Sequence, residues 1–222
     1  GKTSIESKEL IDLAKKNNVI ISVGHIERYN PAVKKLKELI DEGHFGTITS
    51  INTKRVGPMP SQIKSDDVIF DLGVHDLGLV CYLMGEKPLE MDYNSGGAKL
   101  RDRDDYANIF LKFKKNISAS LEINWITPIK IRKIYVTGLN GYAEVDLINQ
   151  EIDFYSKNLV KSAEDYLQVI KDYNNSNLSK INIEKGQPLR LELDAIISAI
   201  QNNGKDLIQE DGIEVIKLIE KL

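Results

Sequence analysis

Between Leu89 and Tyr155 the chain is a succession of short β-prone segments, separated by turns too short to hold a helix. The segments lie at about Leu89–Lys99, Ala107–Phe113, Ile117–Trp125, Lys130–Thr137, Tyr142–Leu147 and Glu151–Tyr155. Strands joined this way pair antiparallel, because a parallel neighbour needs a crossover of roughly a dozen residues. Gly138-Leu139-Asn140-Gly141 supplies a hairpin turn between two of them. Around this block the spacing predicts a strand at Thr47–Val56, an irregular loop at Pro58-Met59-Pro60, and two helices. One helix is Ala32–Glu42, opened by Pro31 and ended by Gly43; the other is Asp67–Met84, ended by Gly85. Two more helices, Pro188–Asn202 and Asp211–Leu222, close the chain. Leu189, Leu191, Leu193, Ile196, Ile197 and Ile200 give the first of these an apolar face. The polar stretch Asp172–Lys180 reads as a loop. The expected class is α+β, an open and mostly antiparallel sheet with helices on one face.

Residues 1–30 follow a different grammar. Ile5, Leu10, Ile11, Leu13 and Ala14 recur at helical spacing over Ser4–Asn17, with Ser4 and Ser7 offering capping oxygens. Val19–Val23 is a continuous β-branched run, the pattern of a strand buried on both faces. One helix and one such strand do not make a domain. The segment is expected to be the last αβ unit of a doubly wound sheet, a remnant at 1–30 ahead of a second domain at 31–222.

Composition narrows the function classes. The 222 residues are 41% hydrophobic, enough for a sizeable core, and 30 Lys and Arg against 33 Asp and Glu leave a net charge of -3. A nucleic-acid arm or a membrane-surface protein needs a basic excess. The single cysteine, Cys81, excludes a disulfide framework and a cysteine-based zinc site. No apolar run approaches the roughly 18–20 residues that cross a bilayer, and Gly1-Lys2-Thr3-Ser4 begins no signal-peptide core. The expectation is a soluble, cytoplasmic protein.

Two clusters could carry chemistry. Gly24-His25-Ile26-Glu27-Arg28-Tyr29-Asn30-Pro31 follows the buried run, where ligands of open α/β sheets bind. It reads equally well as a ligand-lining hinge or as a capped loop. In the second reading Glu27 and Arg28 pair on the surface; in either, Asn30 caps the helix at Pro31. Asp71-Leu72-Gly73-Val74-His75-Asp76 puts Asp71 and His75 one helical turn apart. A carboxylate there would orient the imidazole as a general base, and Gly73 would let a substrate approach. An ordinary intrahelical pair is the plain alternative. His25, His75, Asp71 and Asp76 could also bind a metal, although no H-E-x-x-H spacing is present. The run Lys99–Asp105 reads as a solvated loop, and Cys81 and Trp125 as core or interface residues.

These segments resemble the Gfo/Idh/MocA family of nicotinamide-dependent oxidoreductases. KTSIESKELIDLAKKNNVIISVGH is similar to the last helix and strand of that family's N-terminal Rossmann domain. GHIERYNPAVKKLKELIDEGHFGTI resembles its crossover, with a G-H-x-x-R-[FY]-x-P pattern. DLGVHDLGLVCYLMGEKP resembles its D-x-x-x-H-D helix, and LELDAIISAIQNNGKDL with DGIEVIKLIEKL its closing helices. The resemblance implies an NAD- or NADP-dependent oxidation of a sugar or sugar-nucleotide hydroxyl, with His75 as the base and Asp71 orienting it or the substrate. It implies substrate contacts from His25, Arg28, Tyr29 and Arg55, the last within Arg55-Val56-Gly57-Pro58-Met59-Pro60, and cofactor contacts from Arg28 and Asn30. It further implies a homodimer or homotetramer formed through the sheet, with Phe110, Phe113, Leu121 and Trp125 as core or interface candidates.

The family's G-x-G-x-x-G loop and its catalytic Glu-Lys-Pro motif are missing; Glu86-Lys87-Pro88 sits at a helix-to-strand turn instead. The chain is therefore expected to be a fragment, inactive alone. The alternatives are a non-catalytic association or regulatory module, and a metal-assisted hydrolase.

Overall fold

The computed structural model of the protein describes residues 1–63, 66–156, 177–202 and 210–222. Helix α1 spans Ser4–Lys16 and is capped by Thr3, one residue ahead of the serine the spacing suggests; Thr3 and Glu6 satisfy each other's backbone N–H in a capping box. Residues 19–23, expected as a buried strand, join no sheet among the described residues, and Val19 and Ile20 are exposed. A continuous apolar run encodes burial, but a strand exists only beside another strand's edge.

A 3₁₀ turn at Ile26–Tyr29 leads into α2, Pro31–Asp41, whose face of Ala32, Val33, Leu36 and Leu39 is buried. Gly43 follows at φ 78, a left-handed conformation that stops the helix without a Cβ penalty. Strand β1 is Ile48–Val56. The expected helix at Asp67–Met84 is two structures: a π-helical turn at Ile69–Gly73, closed by Val74 N–H donating to the Ile69 carbonyl, and then α3, Val74–Met84. The remaining strands are β2 (Glu90–Gly96), β3 (Tyr106–Lys112), β4 (Ser118–Asn124), β5 (Ile131–Gly138), β6 (Gly141–Asp146), β7 (Glu151–Ser156) and β8 (Asn177–Ile181). Helices α4, Pro188–Gln201, and α5, Glu210–Ile219, close the fold. Of the expected loop Asp172–Lys180, residues 172–176 lie outside the described residues. Residues 177–180 belong to β8, a polar edge strand that pairs with β7.

The sheet has eight strands in the order β2-β3-β4-β1-β5-β6-β7-β8. Every adjacent pair is antiparallel except β1 and β4, which are parallel. Chain direction explains the exception. β2, β3 and β4 form a meander, so β4 runs with β2, and β2 is reached from β1 by a crossover through α3. The parallel pair brings the carboxyl ends of β1 and β4 to one edge, and the site lies there.

Side chains alternate across the sheet. Ile51, Ala107, Ile109, Leu111, Ala119, Leu121, Ile123, Ile134, Val136, Ala143, Val145, Ile152 and Phe154 face the helices and form the core. The other face carries no helix among the described residues. Its central row, Asp92, Phe110, Ser120, Asn52, Tyr135 and Glu144, follows the strand register. Of the core-or-interface candidates, Phe113, Leu121 and Trp125 are core, whereas Phe110 is 52% exposed on the outer face. The apolar stripe of α4 is also outward: Leu189, Leu193, Ile197 and Ile200 are exposed while Glu192 is buried. That helix packs on the 3₁₀ turn through its Glu192 and Ala199 side.

The run Lys99–Asp105 is not a plain solvated loop. Asp105, 1% exposed, accepts backbone N–H bonds from Ala98 (2.9 Å), Lys99 (2.6 Å) and Leu100 (2.7 Å). Burial alone would raise its carboxyl, but those three donors hold it below the ordinary value. The Asp105 carbonyl also receives the Trp125 N–H at 2.9 Å, which fixes the backbone at the end of β4.

Candidate active site

Arg55 and Arg132 stand directly opposite each other in the β1–β5 ladder. Both share the inward face of their strands with apolar residues, Ile51 beside Arg55 and Ile134 and Val136 beside Arg132. Like charges in that arrangement repel. One carboxylate resolves the conflict: Glu27 Oε1 accepts from Arg55 Nη1 at 2.9 Å and from Arg132 Nη1 at 3.1 Å. Arg55 Nε donates to Asp76 Oδ1 at 2.5 Å, and the Arg55 and Asp76 side chains are 4% and 2% exposed. The network ties the 3₁₀ turn (Glu27), the sheet (Arg55, Arg132) and α3 (Asp76) together. Burial would raise the Glu27 carboxyl, but the Arg55 charge and hydrogen bond, then Arg132, bring it below its ordinary value.

This network floors a cleft of about 630 Å³. Its walls include Ile26, the Arg55–Pro60 segment, Asp71, Leu72, His75, Asn124, Trp125, Lys130 and Arg132. His75, half-buried in the first turn of α3, is held below the ordinary imidazole range by burial first and the Arg55 charge second, against the opposing pull of Asp76, Glu27 and Asp71. Its ring is therefore neutral near pH 7, the state a general base requires. The π turn widens the backbone between Asp71 and His75, and no hydrogen bond joins the two side chains. Asp71 Oδ2 instead receives the Trp125 indole N–H at 3.3 Å. π turns inserted in helices recur at functional sites. Gly73 is buried beneath the turn, where an added Cβ would lie 3.2 Å from Ile123 Cδ1, so its small size serves packing on the sheet rather than substrate approach.

Of the residues singled out in the sequence, Asp71, His75 and Arg55 meet in this cleft. Trp125 and the segment after Arg55 also line it, whereas His25, Arg28, Tyr29 and Asn30 do not. Asn30 spends both ends of its amide on the fold: Oδ1 caps α2 at Ala32 N–H (3.0 Å), and Nδ2 donates to the Leu147 carbonyl (2.9 Å). Arg28 is buried over the Tyr82 ring, 5.2 Å from its centroid, and lines a separate cavity of about 240 Å³ with Cys81. Tyr29 lies half-buried under Lys34, facing Glu192. His25 packs against Gly78 of α3, whose added Cβ would come within 3.7 Å of the ring. Glu27 and Arg28 do not pair on the surface; both are buried. Among the described residues no group of three or more His, Cys, Asp or Glu is placed to hold a metal, so the set His25, His75, Asp71 and Asp76 is not assembled. No described helix is long and apolar enough to cross a membrane.

Lys130 and Arg132 drew no expectation from the sequence, while Asp76 was weighed only as a metal ligand, Glu27 as a surface partner of Arg28 and Trp125 as a core or interface residue. A signal for Arg132 was present: it occupies the inward phase of a strand whose other inward positions are Ile134 and Val136.

The architecture is a helix-backed open sheet with the 3₁₀ turn at Ile26–Tyr29 ion-paired into its edge through Glu27. The family model for the GFO/IDH/MocA C-terminal domain matches residues 33–144, and the chain belongs to that family. Among curated relatives, UDP-N-acetylglucosamine 3-dehydrogenase of Acidithiobacillus ferrooxidans is 27% identical over 152 residues, covering 68% of this chain and 47% of that protein. Myo-inositol 2-dehydrogenase of Thermotoga maritima is 28% identical over 116 residues, covering 47% and 34%. The chain thus spans about half the length, or less, of the curated relatives it matches. The crystallised Acidithiobacillus ferrooxidans enzyme has the same fold over 99% of this chain and 66% of its own, at a TM-score of 0.81 and 21% identity. A levoglucosan dehydrogenase in complex with NADH and levoglucosan is similar at a TM-score of 0.77 and 17% identity, over 99% and 67%.

Removing Arg55 leaves Asp76 buried without its partner. Arg55→Ala is expected to cost about 3–5 kcal/mol in urea unfolding, and Arg55→Ala/Asp76→Asn to cost less than the single change. The Glu27 contribution has a defined pH window. Its folded value is depressed, so its stabilisation is complete above the ordinary value of 4.5 and is lost as pH falls through the lower folded value.

Proposed function

We propose that this chain forms the substrate side of a nicotinamide-dependent dehydrogenase that oxidises a hydroxyl of a sugar or sugar nucleotide. The observation that carries the reading is that His75 and Asp71 line one cleft above the Glu27–Arg55–Asp76 network, where burial and the Arg55 charge hold the imidazole below its ordinary range. The names of the relatives, sugar-nucleotide and inositol dehydrogenases among them, support the class.

The nicotinamide, when bound, takes up the hydride leaving the substrate carbon. No glycine-rich phosphate turn opening a helix occurs in the 222 residues, so the dinucleotide phosphates find no cradle in them. These residues fit the sugar end of the reaction, and by themselves are expected not to turn over. His75 accepts the proton of the substrate hydroxyl, and its low basicity keeps it unprotonated at working pH. Asp71, fixed by the Trp125 indole, accepts a neighbouring hydroxyl and orients the ring of the sugar. Arg55, consumed by two carboxylates, acts as a positioning residue. We assign Arg28, Tyr29, Asn30 and His25 to setting the 3₁₀ turn at the cleft's border.

The complete enzyme can be assayed with NAD or NADP against UDP-N-acetylglucosamine and myo-inositol. His75→Asn is expected to lower kcat by about a hundredfold to ten-thousandfold with little change in KM. Unchanged turnover in that variant would remove the base assignment.

Self-association through the outer face of the sheet belongs to the same proposal, as a homodimer or homotetramer. Phe110 is exposed at its centre among Ser120, Asn52 and Tyr135, a surface that a second copy can cover. Phe110→Glu is expected to shift the protein to a smaller species in sedimentation while leaving its circular dichroism unchanged.

A further inference from the structure

The cations lining the cleft are unevenly paired. Arg55 is matched by Asp76 and Glu27, and Arg132 shares the same Glu27 oxygen. Asp71 is engaged by the Trp125 indole rather than by a cation. Lys130 has neither an ion pair nor a hydrogen bond among the described residues. Three cations and three carboxylates thus gather here, and the cation left over from the pairing among the described residues is Lys130. Buried Arg55 Nη2 adds a donor without an acceptor among the described residues.

The weakly matched cations are neighbours. Lys130, the exposed residue just ahead of β5, and Arg132, the second residue of that strand, both line the cleft. Lys130 packs beside Gly57 of the same lining, where an added Cβ would lie in ordinary contact with the lysine at 3.4 Å. The Arg132 charge, and then burial, hold the Lys130 ammonium below the ordinary lysine range, as expected of a cation with a like neighbour and no counter-ion.

We propose that Lys130 and Arg132 form an oxyanion subsite at the mouth of the cleft, which selects substrates carrying a phosphoryl or carboxylate group on the sugar. The subsite rests on reading the cleft as the sugar site. An ammonium point charge beside a guanidinium fork suits clustered anionic oxygens, and the anion relieves the repulsion between the two cations.

Trp125 is the single tryptophan of the chain and lines the same cleft, so its emission reports on occupancy. The protein is titrated with glucose, glucose 1-phosphate and glucuronate. One or both anionic sugars are expected to bind about tenfold or more tighter than glucose, a preference that fades in high salt. Which of the two binds tighter distinguishes phosphoryl from carboxylate. Lys130→Gln removes the preference, while Lys133→Gln, one strand position from Arg132 and on the outer face, keeps it. Equal affinity for all three sugars, or a preference that survives Lys130→Gln, overturns the subsite and leaves the sugar-cleft reading standing. No response to any of them overturns both.

Discussion

Everything at this edge of the sheet depends on Glu27 Oε1 sitting between two arginines that the β1–β5 register sets opposite each other. Without that carboxylate the register would juxtapose two like charges on a buried face. With it, the repulsion becomes a clamp. The 3₁₀ turn is drawn onto the sheet, and Asp76 draws α3 onto the same guanidinium. Three segments far apart in sequence meet through one side chain, Arg55.

The clamp also sets the electrostatics of the cleft. Burial first, and the Arg55 charge second, disfavour protonation of His75, against the opposing pull of Asp76 and Glu27 in the same network. On the opposite wall a second chain of contacts holds Asp71. The Asp105 carboxylate gathers the backbone of the 98–100 loop, its carbonyl receives the Trp125 N–H, and the Trp125 indole reaches Asp71. Both acidic residues that look like surface charge in the sequence, Glu27 and Asp105, are buried organisers.

Much of the architecture was legible because it rests on short-range rules. Alternation marked β3 to β7 to within a few residues, Gly43 and Gly85 ended their helices, and Asn30 capped α2. What failed depended on tertiary partners. The parallel β1–β4 pair follows from a crossover that strand-by-strand reading ignores. The π turn at Ile69–Gly73 has no signature in hydrophobic spacing, and its Asp71 carboxylate accepts from the Trp125 indole rather than from His75. In the site, the spacing located Asp71 and His75, but Arg28 and Asn30 were drawn to the cleft by their position in a motif, although their side chains serve packing and capping. Arg132 and Lys130 were missed because nothing about them in sequence departs from an ordinary strand entrance except the phase they occupy.

The central claim is that the folded site keeps His75 neutral by burial and by its arginine neighbour. It is tested most directly by following the imidazole Cε1 proton of His75 by NMR as a function of pH, with the resonance assigned from its disappearance in His75→Asn. The account predicts a midpoint below the ordinary value of 6.5. A midpoint at or above 6.5 would contradict it.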